Sequence, residues 1–278
     1  MRLTLLTENN SLYDTFFHAE HGFSAYVEDD GVEVLYDTGY SDAFIKNAEQ
    51  MGIDITRAEY IVISHGHYDH SGGLKHLMAY FEKRHVYRRP TLLFADEDIF
   101  LKKYNFEVQR NTGMDVTREY LDKYFNVKIV PEPMNLTERL YYLGKAKRTN
   151  PYECRIPQNK KWKNDEYVDD FIDEDVQLGY RHRNGAVSIV TGCSHSGICN
   201  IIAHAKNVTG SDKVQAAIGG LHLQKPAEDL MNFTMKTIQD EGIEQFFACH
   251  CTDFESRMAL GKISNICETG VSLKLIWE

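Results

Sequence analysis

The ten residues SHGHYDHSGG at positions 64 to 73 constrain this chain more than any other segment. They place three imidazoles and one carboxylate within six consecutive positions: His65, His67, Asp69 and His70. Burying imidazoles and a carboxylate together costs free energy through desolvation unless a partner compensates. Imidazole nitrogen and carboxylate oxygen are also the donors that a borderline divalent ion accepts. The segment therefore predicts a metal site.

The spacing of these side chains predicts how they meet. On an extended backbone His65 and His67, two positions apart, point to the same side, and Gly66 leaves room on the other. Asp69 and His70 follow on the turn into a helix and can face the same cavity. We therefore expect two divalent ions, one bound by His65 and His67 and a second bound by Asp69 and His70.

Strand and helix patterns alternate around this motif. RLTLL, FSAYVED and VEVLYDTG are typical of strands, and the turn-forming Asp-Asp-Gly at 29 to 31 joins the last two. SDAFIKNAEQMG predicts a helix with Ser41 as its N-cap and Gly52 as its stop. EYIVIS is the short apolar run of a doubly covered strand, and SGGLKHLMAYFEKR predicts a helix after the motif. The motif thus follows the end of a strand.

The C-terminal part repeats this alternation. GAVSIVTG precedes GCSHSGICNIIAHAK, KVQAAIGG precedes LHL and a helix after Pro226, and EQFFACHC precedes a helix containing FESRMALGKI. Three more strand ends therefore carry His195, His222 and His250. The stretch from about 97 to 180 is rich in charge and tyrosine and weakly periodic. We interpret it as an insertion within a single domain spanning residues 1–278.

Composition narrows the function classes. A chain of 278 residues with 42% hydrophobic content can bury a large core. Its formal net charge of -10 argues against nucleic-acid partners, which require a basic surface. The absence of a secretory leader pattern and of long apolar runs predicts a cytoplasmic protein with no membrane partner. In that compartment the six cysteines are expected to be reduced.

At this point the sequence resembles a known family. SHGHYDH is similar to the His-X-His-X-Asp-His signature of the metallo-β-lactamase superfamily, and HGFSAYVE and VLYDTG precede it in the expected order. TGCSHSGICNII, IGGLHL and ACHCT resemble the branch named as dihydropterin-ribofuranosyl-aminobenzene-phosphate synthases. The resemblance implies an α/β fold, the αβ/βα four-layer sandwich with a dinuclear metal site at one edge, here with an inserted lid-like segment. A fold alone does not imply a substrate.

The resemblance also implies roles for individual residues. The expected metal ligands are six residues: His65, His67, Asp69, His70, His195 and His250. Asp37 would accept the remaining N–H of a ligand histidine and so fix its orientation. Zinc is the expected metal, with manganese or iron as alternatives.

The chain departs from the superfamily pattern at one place. Many members carry a bridging aspartate after a strand ending in Thr-Gly, and here Cys193 occupies the comparable position. Cys193 is then either a thiolate ligand or a neighbour of the ligands. His222 either replaces a ligand, contacts the substrate or has a structural role. Cys249 and Cys251 flank His250 on a segment that we expect to be extended, so both should point away from it and pack as small hydrophobes.

The predicted site suits hydrolysis. A divalent ion lowers the pKa of bound water to about 7, which makes a metal-bound hydroxide available at neutral pH. We expect attack of this hydroxide on a small-molecule ester, with Asp69 and His222 as the catalytic residues of the chain. The alternatives are a pterin-related synthase and a non-catalytic metal-binding or ligand-binding sensor. A sensor would be expected to lack some ligands, and none of the four motif residues is missing.

The insertion suggests a class of substrate. Between about 140 and 183 basic residues are interspersed with tyrosines and a tryptophan in an otherwise acidic protein. Guanidinium groups bind phosphate oxygens bidentately, and aromatic faces stack on planar rings. Arg148 and Arg155 are therefore predicted to bind a phosphorylated substrate under a lid. The alternative is a solvated loop whose charges keep it soluble.

Overall fold

The computed structural model describes all 278 residues. The chain forms seventeen strands: β1 (Arg2–Thr7), β2 (Ser24–Asp29), β3 (Val32–Tyr36), β4 (Tyr60–Val62), β5 (Thr91–Phe94), β6 (Lys103–Asn105), β7 (Arg110–Asn111), β8 (Asn126–Ile129), β9 (Met134–Asn135), β10 (Leu140–Lys145), β11 (Asn159–Lys163), β12 (Glu166–Asp170), β13 (Val176–Arg181), β14 (Val187–Thr191), β15 (Val214–Gly220), β16 (Gln245–Cys249) and β17 (Lys274–Ile276).

Seven α-helices connect these strands: α1 (Ala43–Met51), α2 (Tyr68–Ser71), α3 (Leu74–Lys83), α4 (Arg118–Leu121), α5 (Ile198–Thr209), α6 (Glu228–Glu241) and α7 (Phe254–Leu260). Short 3-10 turns lie at Ile55–Arg57 and Glu97–Phe100. None of the helices has both the length and the apolar character needed to cross a bilayer.

Two mixed sheets form the centre of the molecule. The first has seven strands in the order β17-β1-β2-β3-β4-β5-β8, and the second has six in the order β16-β15-β14-β13-β10-β9. Strands β3, β4, β5 and β8 run parallel, as do β14, β15 and β16. Because the carboxyl ends of parallel strands meet at one sheet edge, each sheet brings several loops together there.

Three apolar clusters define four layers. A cluster of 22 buried residues lies between the two sheets, and alternate residues of the same strands face helices on the outside. A second cluster packs α1 and α3 on the first sheet, and a third packs α5, α6 and α7 on the second. The layer order is helix, sheet, sheet, helix. The predicted αβ/βα sandwich is therefore confirmed.

Local predictions were close, with small differences. Gly52 ends α1 in a left-handed conformation, φ 72°, as expected, whereas Asp42 and not Ser41 is its N-cap. The helix predicted after the motif is α3, and a separate short helix, α2, lies within the motif, so the two are divided at Gly72 and Gly73. A Cβ on Gly73, at this division, would overlap the Thr38 carbonyl oxygen. Glycine is needed there because the backbone passes so close to its neighbour.

The segment predicted as an insertion contributes strands both to the two main sheets and to a separate sheet. Strand β8 extends the first sheet, while β9, β10 and β13 belong to the second. Only β6, β7, β11 and β12 form a separate four-stranded sheet. The predicted limits of about 97 to 180 are therefore broader than the part of the chain that lies outside the two main sheets.

A buried lysine connects the four-stranded sheet to the histidine motif. Nζ of Lys103, on β6, lies 2.7 Å from Asp170 Oδ2 and 2.6 Å from Glu174 Oε1, and all three side chains are fully buried. The same Glu174 oxygen accepts a hydrogen bond from the main-chain N–H of Gly66, at 3.4 Å. Burial acts to lower the pKa of Lys103, but the two carboxylates outweigh it and raise the pKa, so the ammonium stays charged.

Replacing Lys103 should destabilise the fold strongly. Lys103→Met leaves two buried carboxylates without their cation, which is expected to lower the free energy of unfolding by about 3 to 5 kcal/mol. Lys160→Met is the matched control, because Lys160 of β11 pairs with Asp169 while both side chains are about half exposed; it should cost less than about 1 kcal/mol. Urea unfolding measures both. Equal losses would contradict a structural role for the buried network.

Candidate metal centre and cavity

Four strand ends meet at one edge of the sandwich. The histidine motif follows β4, while His195, His222 and His250 follow β14, β15 and β16. A cavity of about 540 Å³ opens there, and His67, Asp69 and the three strand-end histidines lie in its wall. The edge predicted from the sequence is thus also the place where a cavity opens.

Three ring nitrogens converge in the first histidine cluster, formed by His65, His67 and His195. Nε2 of His65 lies 3.0 Å from Nδ1 of His67 and 3.2 Å from Nε2 of His195. Burial lowers the pKa of all three, to about 3 for His67, so the rings are neutral at pH 7. Neutral imidazoles with converging nitrogens form a donor set that fits a divalent metal ion.

Asp37 orients two rings of the motif, those of His65 and His70. Nδ1 of His65 lies 2.9 Å from the Ser64 hydroxyl, which donates a hydrogen bond of 2.7 Å to Asp37 Oδ2. Nδ1 of His70 lies 2.7 Å from the same carboxylate oxygen. Because Nδ1 of each ring is engaged by these partners, its Nε2 is left facing the candidate metal centre. The structure places Asp37 where such an orienting residue is required.

The second cluster joins Asp69, His70 and His250. Nε2 of His70 lies 3.0 Å from Nε2 of His250, and Asp69 Oδ2 lies 3.4 Å from that same atom. Nδ1 of His250 lies 3.0 Å from Asn9 Oδ1. His21, which the sequence did not reveal, contacts Asp69 Oδ2 at 3.2 Å. These contacts leave the Nε2 atoms of His70 and His250 beside each other, with the Asp69 carboxylate next to that of His250.

The charges in the second cluster offset one another. Burial acts to lower the pKa of His70, but the carboxylates of Asp37 and Asp69 outweigh it and raise this pKa to about 9. Burial likewise acts to raise the pKa of Asp69, but His70, His21 and His250 hold it well below its usual range. Asp69 is therefore an anion in a ring of imidazoles, as a metal-binding carboxylate must be.

Two cysteines lie at the second cluster. Cys193 Sγ is 3.1 Å from His70 Nε2, and Cys251 lines the same cavity. The expectation that Cys251 points away from His250 is therefore wrong. β16 ends at Cys249, and His250 has a left-handed backbone, φ 48°, so strand alternation stops before Cys251. Cys249 does pack in the core between the sheets, as expected.

His222 lies in the cavity wall and belongs to none of the metal-ligand groups. Its Nε2 hydrogen-bonds to Gln158 Oε1 at 2.7 Å, and its ring centroid is 4.4 Å from that of His195. Of the three roles left open by the sequence, this geometry favours substrate contact over metal binding.

The basic residues that line the cavity are not all the ones predicted from the sequence. Arg148 does not line the cavity, and its guanidinium is bound by the carbonyl oxygens of Phe171 and Ile172 and by Asp173. Its predicted role as a substrate ligand is therefore not supported by its position. Arg155 does line the cavity, and it also pairs with Asp229 at 2.8 Å.

Two further basic residues in the wall, Arg110 and Lys225, were missed. Neither side chain forms an ion pair: Arg110 lies over the Tyr68 ring, 5.3 Å from its centroid, and the main-chain N–H of Lys225 donates a hydrogen bond to Asp253 Oδ2 at 2.7 Å. Their isolated positions in the sequence gave no periodic or motif signal. Asn159 was missed as well: its amide lies 2.6 Å from Nε2 of His67. Rotating that amide to present its oxygen lets it accept the His67 proton, so that Nδ1 faces the cluster.

The chain is similar to known proteins along most of its length. Residues 19–199 match the metallo-β-lactamase superfamily. An uncharacterised protein of Methanocaldococcus jannaschii is 29% identical over 258 residues, which cover 92% of this chain and 93% of that protein. In the same organism, 7,8-dihydropterin-6-methyl-4-(β-D-ribofuranosyl)-aminobenzene-5'-phosphate synthase is 26% identical over 272 residues, with 92% and 89% covered.

Solved structures show the same fold. A metal-dependent hydrolase of the β-lactamase superfamily superposes with a TM-score of 0.83 at 29% identity, with both chains covered completely. Zn²⁺-bound PqqB from Methylobacterium extorquens superposes with a TM-score of 0.57 at 12% identity, over 99% of this chain and 100% of that one, which shows a shared fold alone.

Removing the charge of Asp37 should weaken metal binding. Asp37→Asn keeps the shape of the side chain but loses the anion beside His70, and loss of such an orienting partner typically lowers metal affinity by about 10- to 100-fold. Competition with a chromophoric chelator measures the affinity. Asp240→Asn, at an exposed position on α6, is the control and should bind metal as the wild type does. Unchanged affinity in Asp37→Asn would show that the carboxylate does not act through the histidines.

Proposed function

Because the chain belongs to the metallo-β-lactamase superfamily, we propose that it is a metal-dependent hydrolase acting on a small-molecule ester that carries a phosphate group. The observation that carries this proposal is the meeting of two imidazole clusters and the Asp69 carboxylate at the base of a cavity of about 540 Å³. A cavity of this size admits a small molecule and brings it against the donor atoms.

Two ions fit the donor atoms. His65, His67 and His195 would hold one, and Asp69, His70 and His250 would hold the other. Zinc is the expected metal because imidazole-rich sets suit it, with manganese or iron as alternatives. When bound, such ions supply Lewis acidity for the ester oxygen and lower the pKa of water.

The chain's own groups position the reactants. The Asp69 carboxylate would accept a hydrogen bond from the attacking water and so orient the lone pair of that water toward the ester. His21 holds Asp69 from the other side, through the 3.2 Å contact to Oδ2. Gln158 fixes the ring of His222 in the cavity wall, where we assign it to substrate contact.

The phosphate group would bind the basic part of the wall. Arg110, Arg155 and Lys225 lie there, and the side chains of Arg110 and Lys225 form no ion pair. Guanidinium groups bind phosphate oxygens bidentately, which fixes orientation as well as charge. Tyr68 and Tyr152 in the same wall position two of these groups, because the guanidinium of Arg110 lies over the Tyr68 ring and that of Arg155 over the Tyr152 ring, each 5.3 Å from the centroid.

Substitution of His67 tests the metal-dependent reaction. His67→Ala removes one of the three donors of the first cluster, so hydrolysis of phosphodiesters, phosphomonoesters and lactones should fall below detection while circular dichroism shows the fold retained. His76→Ala, on α3 and outside the cavity lining, is the control and should keep full activity. Wild-type turnover in His67→Ala would show that the assignment of the reaction to this metal site is wrong.

Comparison of two substrates tests whether the basic residues of the cavity wall bind a phosphate group. The double variant Arg110→Gln, Lys225→Gln should lower kcat/KM for a phosphorylated ester by about tenfold or more, because a hydrogen bond to a charged group contributes about 1.5 to 3 kcal/mol. The matching unphosphorylated ester should be hydrolysed as before. Lys163→Gln, on the exposed end of β11, serves as the control. Equal losses on both esters would argue against a phosphate subsite.

A pterin-related synthase is the second candidate, favoured by the name of the 26% identical relative. Formation of 7,8-dihydropterin-6-methyl-4-(β-D-ribofuranosyl)-aminobenzene-5'-phosphate from its two precursors by the metal-loaded protein would decide for it. Ester hydrolysis without this product would decide for the hydrolase.

A further inference from the structure

Two cysteines that are 58 residues apart in the sequence meet at the second histidine cluster. Cys193 follows β14 and Cys251 lies two residues beyond β16. Their Sγ atoms and a ring nitrogen of His250 all lie within 4.8 Å of one another. Both residues are buried, with exposed fractions of 4%. The two thiols therefore share the space into which His250 points.

His70 reaches the same space. Its Nε2 lies 3.1 Å from Cys193 Sγ and 3.0 Å from His250 Nε2. Around a tetrahedral zinc ion with Zn–S near 2.3 Å and Zn–N near 2.0 Å, ligand atoms are separated by about 3.3 to 3.8 Å. The nitrogens of His70 and His250 and the sulfur of Cys193 are thus close to the spacing of one coordination sphere, and the Cys251 sulfur lies within 4.8 Å of Cys193 Sγ and of a His250 ring nitrogen.

The local backbone brings the Cys251 sulfur to this position. The left-handed His250, φ 48°, turns the chain so that Cys251 faces the cavity. A Cβ on Gly220 would lie 2.5 Å from Cys251 Sγ, so a glycine there leaves the sulfur its space. The main-chain N–H of His222 donates a hydrogen bond to Cys251 Sγ at 3.2 Å. An N–H aimed at sulfur stabilises the thiolate form, which is the form that binds metal.

We propose that Cys193 and Cys251 are thiolate ligands that bind, together with Asp69, His70 and His250, the second of the two metal ions. The proposal rests on the proposed function, because it takes that function's metal centre as its starting point. On loading, each thiol releases its proton to solvent and its sulfur forms a bond to the metal.

Sulfur ligation has a consequence for metal choice. Thiolates are soft ligands that bind zinc, cobalt and ferrous iron in preference to magnesium or manganese. This position should therefore retain zinc or iron when excess manganese is supplied. Two anionic sulfurs also offset the charge of the ion, so the cluster of His65, His67 and His195 is left as the more Lewis-acidic position.

Cobalt substitution tests the ligand set without reference to activity. The full chain is reduced, stripped with a chelator and titrated with Co²⁺ under anaerobic conditions, and bound cobalt is counted by elemental analysis. The wild type should show an intense sulfur-to-cobalt charge-transfer band in the near ultraviolet. Cys193→Ala and Cys251→Ala should each lose about half of this band, and the double variant all of it, since each sulfur contributes one Co–S bond.

Cys249→Ala is the matched control, because Cys249 lies two residues from Cys251 but packs in the core between the sheets. It should keep the whole band. Cadmium NMR of the loaded wild type supplies a measurement that needs no variant, since thiolate ligands shift the cadmium resonance strongly downfield.

The outcomes separate this proposal from the proposed function. Cobalt that binds stoichiometrically without a charge-transfer band, or a cadmium resonance without the thiolate shift, would overturn sulfur ligation and leave the metal-dependent hydrolase standing. A band that persists in the double variant would also overturn it. A chain that binds no cobalt at all would overturn both.

Discussion

The convergence of imidazole nitrogens at one edge of the sandwich is the constraint on which the rest of the structure depends. Nε2 of His65 lies 3.0 Å and 3.2 Å from nitrogens of His67 and His195. Neutral rings held with their nitrogen lone pairs together repel one another, and burial removes the water that would solvate them. The surrounding fold must therefore hold each ring from outside, and the Asp37 carboxylate does this for His70 directly and for His65 through Ser64.

The turns that bring these side chains together have a strained backbone. Four residues other than glycine adopt left-handed conformations just after strands that lead into the site: Asp37, Ser194, His222 and His250, with φ between 48° and 58°. Each such residue costs on the order of 1 to 3 kcal/mol and persists only where surrounding contacts fix it. These contacts are visible for His250, whose main-chain N–H donates to the buried Glu8 carboxylate at 2.8 Å. The sharp turns they make direct side chains from separate strands into one small space.

Part of this arrangement was predictable from the sequence, and the strained turns explain one part that was not. Most strands and helices were predictable because they follow local apolar periodicity, whereas the four layers were predicted from the resemblance to the superfamily. The motif from His65 to His70 was predictable because its donors are adjacent in sequence. Cys251 was not, because the expectation used the two-residue alternation of a strand, and a left-handed His250 interrupts that alternation. His21 reaches Asp69 only through the tertiary fold, and no local pattern marks such a contact.

The four-stranded sheet links the substrate cavity to the metal centre. Asn159 of β11 contacts His67, the Thr112 carbonyl after β7 accepts a hydrogen bond from the main-chain N–H of Tyr68, and Lys103 of β6 reaches Gly66 through Glu174. Arg110 of β7 lies in the cavity wall on the same sheet. A substitution that reshapes this wall is therefore transmitted to the loop that carries His65 and His67. Substrate preference and the geometry of the candidate metal centre are, for this reason, coupled properties of one small sheet.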